Sequence, residues 1–143
     1  MELSRISFYN ENTGFRLRKI KKARKWLSDT IYTEGKNYGE ISIIFCDDAC
    51  LHGMNVKFLD HDTLTDVITF DYNEGNQISG DIFISIERVK ENAVLFSKSF
   101  TDELNRVMLH GVLHLCGYKD KTKRDVAIMR QKEEEYLALF PQL

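Results

Sequence analysis

His110 and His114 stand four residues apart in an apolar run that begins near Leu104, and Asp120 follows six residues after the second histidine. Side chains four apart on a helix project from one side. Two imidazole nitrogens one turn apart suit a tetrahedral divalent ion. Gly117 is placed to end the helix in a left-handed conformation and to turn the chain sharply. That turn would carry Asp120 back towards the histidines as an oxygen ligand. Three protein ligands and one water make the open arrangement of a catalytic zinc, whereas a structural zinc is closed by four protein ligands.

The spacing compares with the metzincin hydrolase pattern H-E-x-x-H-x-x-G-x-x-H, whose glutamate is the general base. Here it reads His110, His114, Gly117, Asp120, with Gly111 in the glutamate position and a carboxylate in place of the third imidazole. The spacing favours metal binding, and the missing glutamate counts against peptidase chemistry. A carboxylate oxygen is harder than an imidazole nitrogen, so weaker and less zinc-selective binding is expected than with three histidines. His52 and His61 are isolated and read as ordinary polar residues. Cys46 and Cys50 form a C-x-x-x-C pair, but no second pair follows at zinc-finger spacing, so they read as small buried hydrophobes.

The elements that must position this stretch follow from periodicity and punctuation. Thr101-Asp102-Glu103-Leu104 has a hydroxyl cap and first-turn acids, which predicts the start of the histidine helix. Leu109, Val112, Leu113 and Cys116 recur at helical spacing as its buried face. Upstream, residues 2–9 read as a strand, 15–32 as a helix with Leu17, Ile20, Ala23 or Arg24, and Leu27 on its buried stripe, and 40–46 as an apolar strand. Asp47-Asp48 caps a short helix over 49–59. Residues 63–72 and 80–86 read as two strands joined by a polar loop, a hairpin or edge pair. Residues 87–99 form an amphipathic helix with Val89, Ala93, Val94 and Phe96 apolar. The last helix, 125–140, carries Ala127, Ile128, Leu137 and Phe140 inward and Glu133-Glu134-Glu135 outward, and Pro141 ends it. The expected fold class is α+β: a single domain over residues 1–143, with a mixed β-sheet packed by helices and a zincin-like metal-binding helix in the core.

A chain of 143 residues with 43% hydrophobic and 29% charged residues suits one soluble core. No run of about 18 apolar residues predicts a membrane span, and no export signal is read at the N-terminus. The three cysteines are therefore expected to be reduced thiols in a cytoplasmic protein. Net charge is −2 and the pI near 6.1, which argues against whole-surface attraction to nucleic acid. The distribution is uneven, however. Seven of the ten residues in 16–25 are basic: Arg16, Arg18, Lys19, Lys21, Lys22, Arg24 and Lys25. Such a run reads either as a solvated helix face or as a phosphate-contacting patch for RNA or a ribosome.

The motif His-Gly-x-Leu-His-Leu-x-Gly-Tyr over 110–118 resembles the signature of the YbeY family of bacterial rRNA maturation factors. Two further stretches agree in order and spacing. Asn55…Thr65-Asp66-Val67-Ile68-Thr69-Phe70 resembles the family's N-x-x-Y-R-x-x-D-x-P-T-D-V-L-S-F, and Gly80-Asp81-Ile82-Phe83-Ile84-Ser85 resembles its G-D-I-x-I-S. The resemblance implies a metal-dependent, single-strand-specific endoribonuclease that acts in 16S rRNA 3′-end maturation and ribosome quality control. It implies one divalent ion, with zinc expected, and as partners single-stranded rRNA and the small ribosomal subunit with its proteins, with no membrane. His110 and His114 fall on family ligands, and the third family histidine falls without a gap on Asp120. A one-residue gap would put Lys121 there, which cannot bind a metal, so Asp120 is the expected third ligand. The family's arginine falls on Leu59, after Phe58, and Lys57, Lys119 or Lys121 could supply its charge.

The chemistry expected is metal-assisted phosphodiester hydrolysis. With Gly111 replacing the glutamate, Asp66 and Asp81 are the candidate assisting acids by motif, against a reading of both as strand-start caps. The basic run would hold RNA or ribosome. A metallopeptidase-like hydrolase and a non-catalytic ribosome-associated metal-binding factor are the competing readings.

Overall fold

Large apolar residues alternate with small or polar ones along the two central strands, and that alternation sorts them onto the two faces of a sheet. The computed structural model describes residues 5–59 and 65–140. Its elements are β1 (Ile6–Asn10), α1 (Ile20–Thr33), β2 (Asn37–Cys46), α2 (Asp48–Leu59), β3 (Val67–Asp71), β4 (Gln77–Ser85), α3 (Ile86–Leu95), α4 (Phe100–Leu115) and α5 (Lys123–Leu137). The sheet order is β1-β2-β4-β3, with β1, β2 and β4 parallel and β3 antiparallel at the edge. The mixed sheet and α+β class agree with the expectation, and β3 and β4 form the expected hairpin. The strand start at Glu2 and Leu3, the residues from Asp60 to Leu64 including His61, and the stop at Pro141 lie outside the described residues.

Ile41, Ile43 and Phe45 of β2 and Ile78, Ile82 and Ile84 of β4 are buried in the main core with the apolar faces of α1 and α4. On the opposite face, α2 covers a smaller cluster of Cys46, Leu51 and Ile68. Two glycines let the histidine helix lie close on the sheet. A Cβ at Gly111 would meet Ile82 Cγ2 at 2.7 Å, and one at Gly80 would meet Leu115 Cδ2 at 2.8 Å and the Phe70 carbonyl oxygen at 2.5 Å. A backbone oxygen cannot rotate away, so Gly80→Ala is expected to cost about 1–3 kcal/mol. Thermal unfolding should show Tm lowered by several degrees.

Cys46 is fully buried, and the three thiols are free. Burial, reinforced by the neighbouring Cys50, pushes the Cys46 thiol up to about 12. Its thiolate is then on the order of 1 part in 10,000 at pH 8. Iodoacetamide at that pH should leave Cys46 unmodified in the native protein and alkylate it fully in denaturant, as mass spectrometry of the Cys46 peptide would read.

Four local expectations are corrected. Helix α1 begins at Ile20, not residue 15, because Lys19 sits in the left-handed region at φ 57°. Phe15 is held instead by edge-on packing against Phe45 and Phe100, with ring centroids at 5.1 and 5.6 Å. Tertiary anchoring thus outweighs helix propensity there. The cap of α4 is Ser99, which accepts from the Asp102 N–H, so Thr101 lies inside the first turn. Helix α3 stops at Leu95, and Ser97 reverses the chain at φ 57°, which leaves Val94 and Phe96 exposed. In α5 the buried face is Met129, Glu133 and Tyr136, while Ala127 and Ile128 face solvent. Leu137 and Phe140 do pack on the core.

Candidate metal centre

Helix α4 presents His110 and His114 from one side, with ring centroids 4.5 Å apart and planes at 85°. The helix ends at Cys116, and Gly117 turns the chain at φ 111°, a conformation open to glycine. Leu113 O accepts from the Tyr118 N–H at 3.1 Å and closes the turn. Asp120 thereby returns to the helix face. Its Oδ2 lies 3.4 Å from His110 Nε2 and 3.2 Å from His114 Nε2. Ligand atoms each about 2.0–2.1 Å from a tetrahedral ion stand roughly 3.3 Å apart, so both separations suit one shared ion. One ligand atom from each of the three residues lies within 4.8 Å of the others.

The other ring nitrogens are engaged. His114 Nδ1 is 2.9 Å from the Tyr118 carbonyl oxygen. A carbonyl can only accept, so this nitrogen carries the proton and Nε2 offers its lone pair. His110 Nδ1 is 2.6 Å from Glu133 Oε2. A carboxylate or carbonyl behind each ring is the arrangement that orients metal-ligating histidines. The donor set therefore fits a divalent ion.

The ligand loop is pinned from two further elements. Glu34, at the end of α1, accepts from the Tyr118 hydroxyl at 2.6 Å and from the Tyr136 hydroxyl of α5. Desolvation, then the hydrogen bond to Glu34, raises both phenols above their usual range, so they remain donors.

Asp66 faces a different neighbour. Its Oδ2 lies 3.7 Å from the Arg106 guanidinium, and Asn92 donates to the same oxygen at 3.5 Å. It is three contacts removed from His110, through Arg106 and Glu133. Asp81 is not brought to the site. It alternates with Gly80 and Ile82, which meet α4, so it points from the other face of the sheet. There it accepts from the Tyr72 hydroxyl at 3.2 Å.

The family model for endoribonuclease YbeY matches residues 5–141. This chain belongs to the YbeY family. Among similar proteins, the endoribonuclease YbeY of Flavobacterium johnsoniae is 55% identical over 132 residues, which cover 92% of this chain and 95% of the relative. That of Christiangramia forsetii is 51% identical over 140 residues, covering 98% and 97%. The solution structure of TM1509 from Thermotoga maritima superposes with a TM-score of 0.65 at 28% identity, covering 92% of this chain and 86% of that one.

In this YbeY chain the basic residues are spread over several elements. Arg16, Arg18 and Lys19 lie exposed in the loop before α1, and Lys21, Lys22 and Lys25 in its first two turns, with Lys22 half-buried. Lys25 pairs with Asp29 at 2.9 Å, and Arg24 donates to the Ile6 carbonyl. Lys119 and Lys121 are exposed on either side of Asp120. Lys57 is exposed in the last turn of α2, the helix on the far face of the sheet. No helix among the described residues is long and apolar enough to cross a membrane.

The sequence reading missed Glu133, Arg106, Glu103 and Glu34. Glu133 was expected to be exposed, yet it is 4% exposed, held between His110 and Arg106. A signal existed on α4: Glu103, Arg106, His110 and His114 follow one another at three- and four-residue steps, a polar stripe along one helix face. No local signal marks Glu34.

Proposed function

We propose that this chain is a metal-dependent, single-strand-specific endoribonuclease acting in 16S rRNA 3′-end maturation and ribosome quality control. It is a hydrolase acting on RNA, as its family is named. The observation that carries the metal-dependent reading is the pair of imidazoles whose Nδ1 atoms are both engaged and whose Nε2 atoms converge on Asp120.

His110, His114 and Asp120 would hold the ion, with zinc the expected metal. A divalent ion in such a site polarises a phosphoryl oxygen and acidifies water towards a pKa of about 7. The chain's own residues supply position and charge. Glu133 and the Tyr118 carbonyl fix the ring planes. The Asp120 side chain is 45% exposed, so the open side of the site is its side, and RNA approaches there. Lys119 and Lys121 flank that opening and replace the family arginine as phosphate contacts, with Lys57 the more distant candidate. Small-subunit rRNA is held further out by the loop and first turns around Arg16, Arg18, Lys19, Lys21 and Lys22, in the cytoplasm.

A peptidase reading loses support from Gly111. Its position points at Ile82 of the sheet, not at the histidine face, so no general base can stand there.

The test uses a single-stranded 16S 3′-end oligonucleotide and its duplex, with protein carrying one equivalent of zinc. Cleavage of the single strand alone, lost on chelation and restored by metal, is expected. Intact RNA with loaded wild-type protein would overturn the nuclease reading. RNA affinity should also fall with salt, each lost phosphate contact removing about 0.7 from the log–log slope. Replacing Arg16, Arg18, Lys19, Lys21 and Lys22 together with glutamine should flatten that slope; an unchanged slope would remove them from the interface.

A further inference from the structure

The candidate metal centre continues as a chain of charged groups along α4 to Asp66, the residue before strand β3. His110 Nδ1 meets Glu133 Oε2 at 2.6 Å. The other Glu133 oxygen lies 3.4 Å from Arg106 Nη1. Arg106 Nη2 donates to Glu103 at 2.7 Å and lies 3.7 Å from Asp66 Oδ2. Glu103 and Glu133 are almost fully buried, with side chains 2% and 6% exposed. Burial acts to lower the Arg106 pKa, but the surrounding carboxylates outweigh it and hold the guanidinium firmly charged. The Glu133 oxygen turned to His110 is thereby a hydrogen-bond acceptor aimed at Nδ1.

We propose that Asp66, Arg106 and Glu133 are positioning residues for the metal: Asp66 and Glu103 fix Arg106, Arg106 fixes Glu133, and Glu133 holds His110 as the Nδ1–H tautomer with Nε2 aimed at Asp120. The aspartate of the T-D-V stretch thus acts on His110 through two other side chains, Arg106 and Glu133, without touching substrate. The geometry supports this over a purely structural ion cluster in two ways. Glu103, Arg106, His110 and His114 lie on one face of α4, so the members of the relay that α4 contributes share the face of the two histidines. The two histidines also have different supports. The His114 Nδ1 partner is the backbone carbonyl of Tyr118, which no side-chain substitution removes, whereas the His110 Nδ1 partner is the side chain of Glu133. Asp66, Arg106 and Glu133 also line a groove of about 950 Å3, so the far end of the relay is open to solvent.

This inference rests on the metal-centre part of the proposed function and not on RNA cleavage, so its test reads zinc and tautomers. Zinc affinity is measured by chelator competition, and the tautomers of His110 and His114 by long-range 1H–15N NMR of the metal-free protein. Glu133→Leu is expected to lower zinc affinity about 10–100-fold. His110 should then lose its Nδ1–H preference while His114 keeps its own. Glu133→Gln retains an acceptor oxygen and should recover most of the affinity and the His110 tautomer. Asp66→Asn, at a partly exposed position, should lower affinity several-fold and serves if Glu133→Leu does not fold. Wild-type zinc affinity and tautomer in Glu133→Leu would overturn the proposal, as would Glu133→Gln no better than Glu133→Leu. Unchanged affinity in Asp66→Asn would overturn the Asp66 end of the relay. Failure of the wild type to bind zinc would instead sink the metal-dependent function itself.

Discussion

Asp120→Ala protein is expected to purify with well under one equivalent of metal and to cleave single-stranded rRNA 3′-end substrate about 100-fold more slowly, or worse. Loss of a partner behind a ligand already costs roughly 10–100-fold in affinity or activity, and Asp120 is itself a proposed ligand, 3.2 and 3.4 Å from the two Nε2 atoms. Two imidazoles alone leave half of a tetrahedral shell to water. The fold should survive, because Asp120 is exposed and its loop is pinned through Tyr118 and Glu34. Asp120→His tests the other direction: a third imidazole is softer than a carboxylate, so zinc should bind more tightly and be displaced less readily by manganese or magnesium. Metal content by mass spectrometry, paired with the cleavage assay, reads both variants. Full metal and full cleavage in Asp120→Ala would remove Asp120 from the coordination set.

Gly111→Glu would restore the His-Glu-x-x-His spelling of a zinc peptidase, and it is expected to unfold the protein without creating a peptidase. The Cβ alone would come within 2.7 Å of Ile82 Cγ2 and 3.1 Å of its Cδ1, in a core where Ile82 is fully buried. Beyond the clash, the carboxylate would be driven into the apolar core at Ile82. Burying an unpaired charge costs several kcal/mol or forces its protonation, against a total stability on the order of 5–15 kcal/mol for a domain. Circular dichroism should show lost or strongly destabilised structure, and a peptide library should remain uncut. A folded variant that cleaves peptides would mean that position 111 faces the metal.

Local features carried the part of the site that was legible. His110, His114, Gly117 and Asp120 sit on one helix and its closing turn, where spacing converts directly into direction. Asp81 shows where motif reading stops: its neighbours are recognisable, but only the alternation with Gly80 and Ile82, settled by which face α4 packs on, reveals that it points away. Glu133 was hidden by composition, since three successive glutamates read as a solvated face; its partners His110 and Arg106 come from another helix. The same holds for the late start of α1, where the aromatic contacts of Phe15 with Phe45 and Phe100 join three separate segments. Strand existence and sheet class were readable because the β-rich apolar runs are short and bounded; the starts of β2 and β4 were not, because Asn37 and Gln77 are strand residues by virtue of pairing with each other.

The Glu34 hub has a consequence for the order in which the molecule is completed. His110, His114 and Asp120 lie within one short stretch, yet the hydroxyls bonded to Glu34 beside it come from residues 118 and 136. During synthesis the ligand sequence leaves the ribosome before α5 does, so an incomplete chain carries the histidines but neither Tyr136 nor Glu133 to hold them in place. On the proposed reading, secure capture of an ion would then wait for α1 and α5 both to dock, because Glu34 ends α1 and Tyr136 lies in α5.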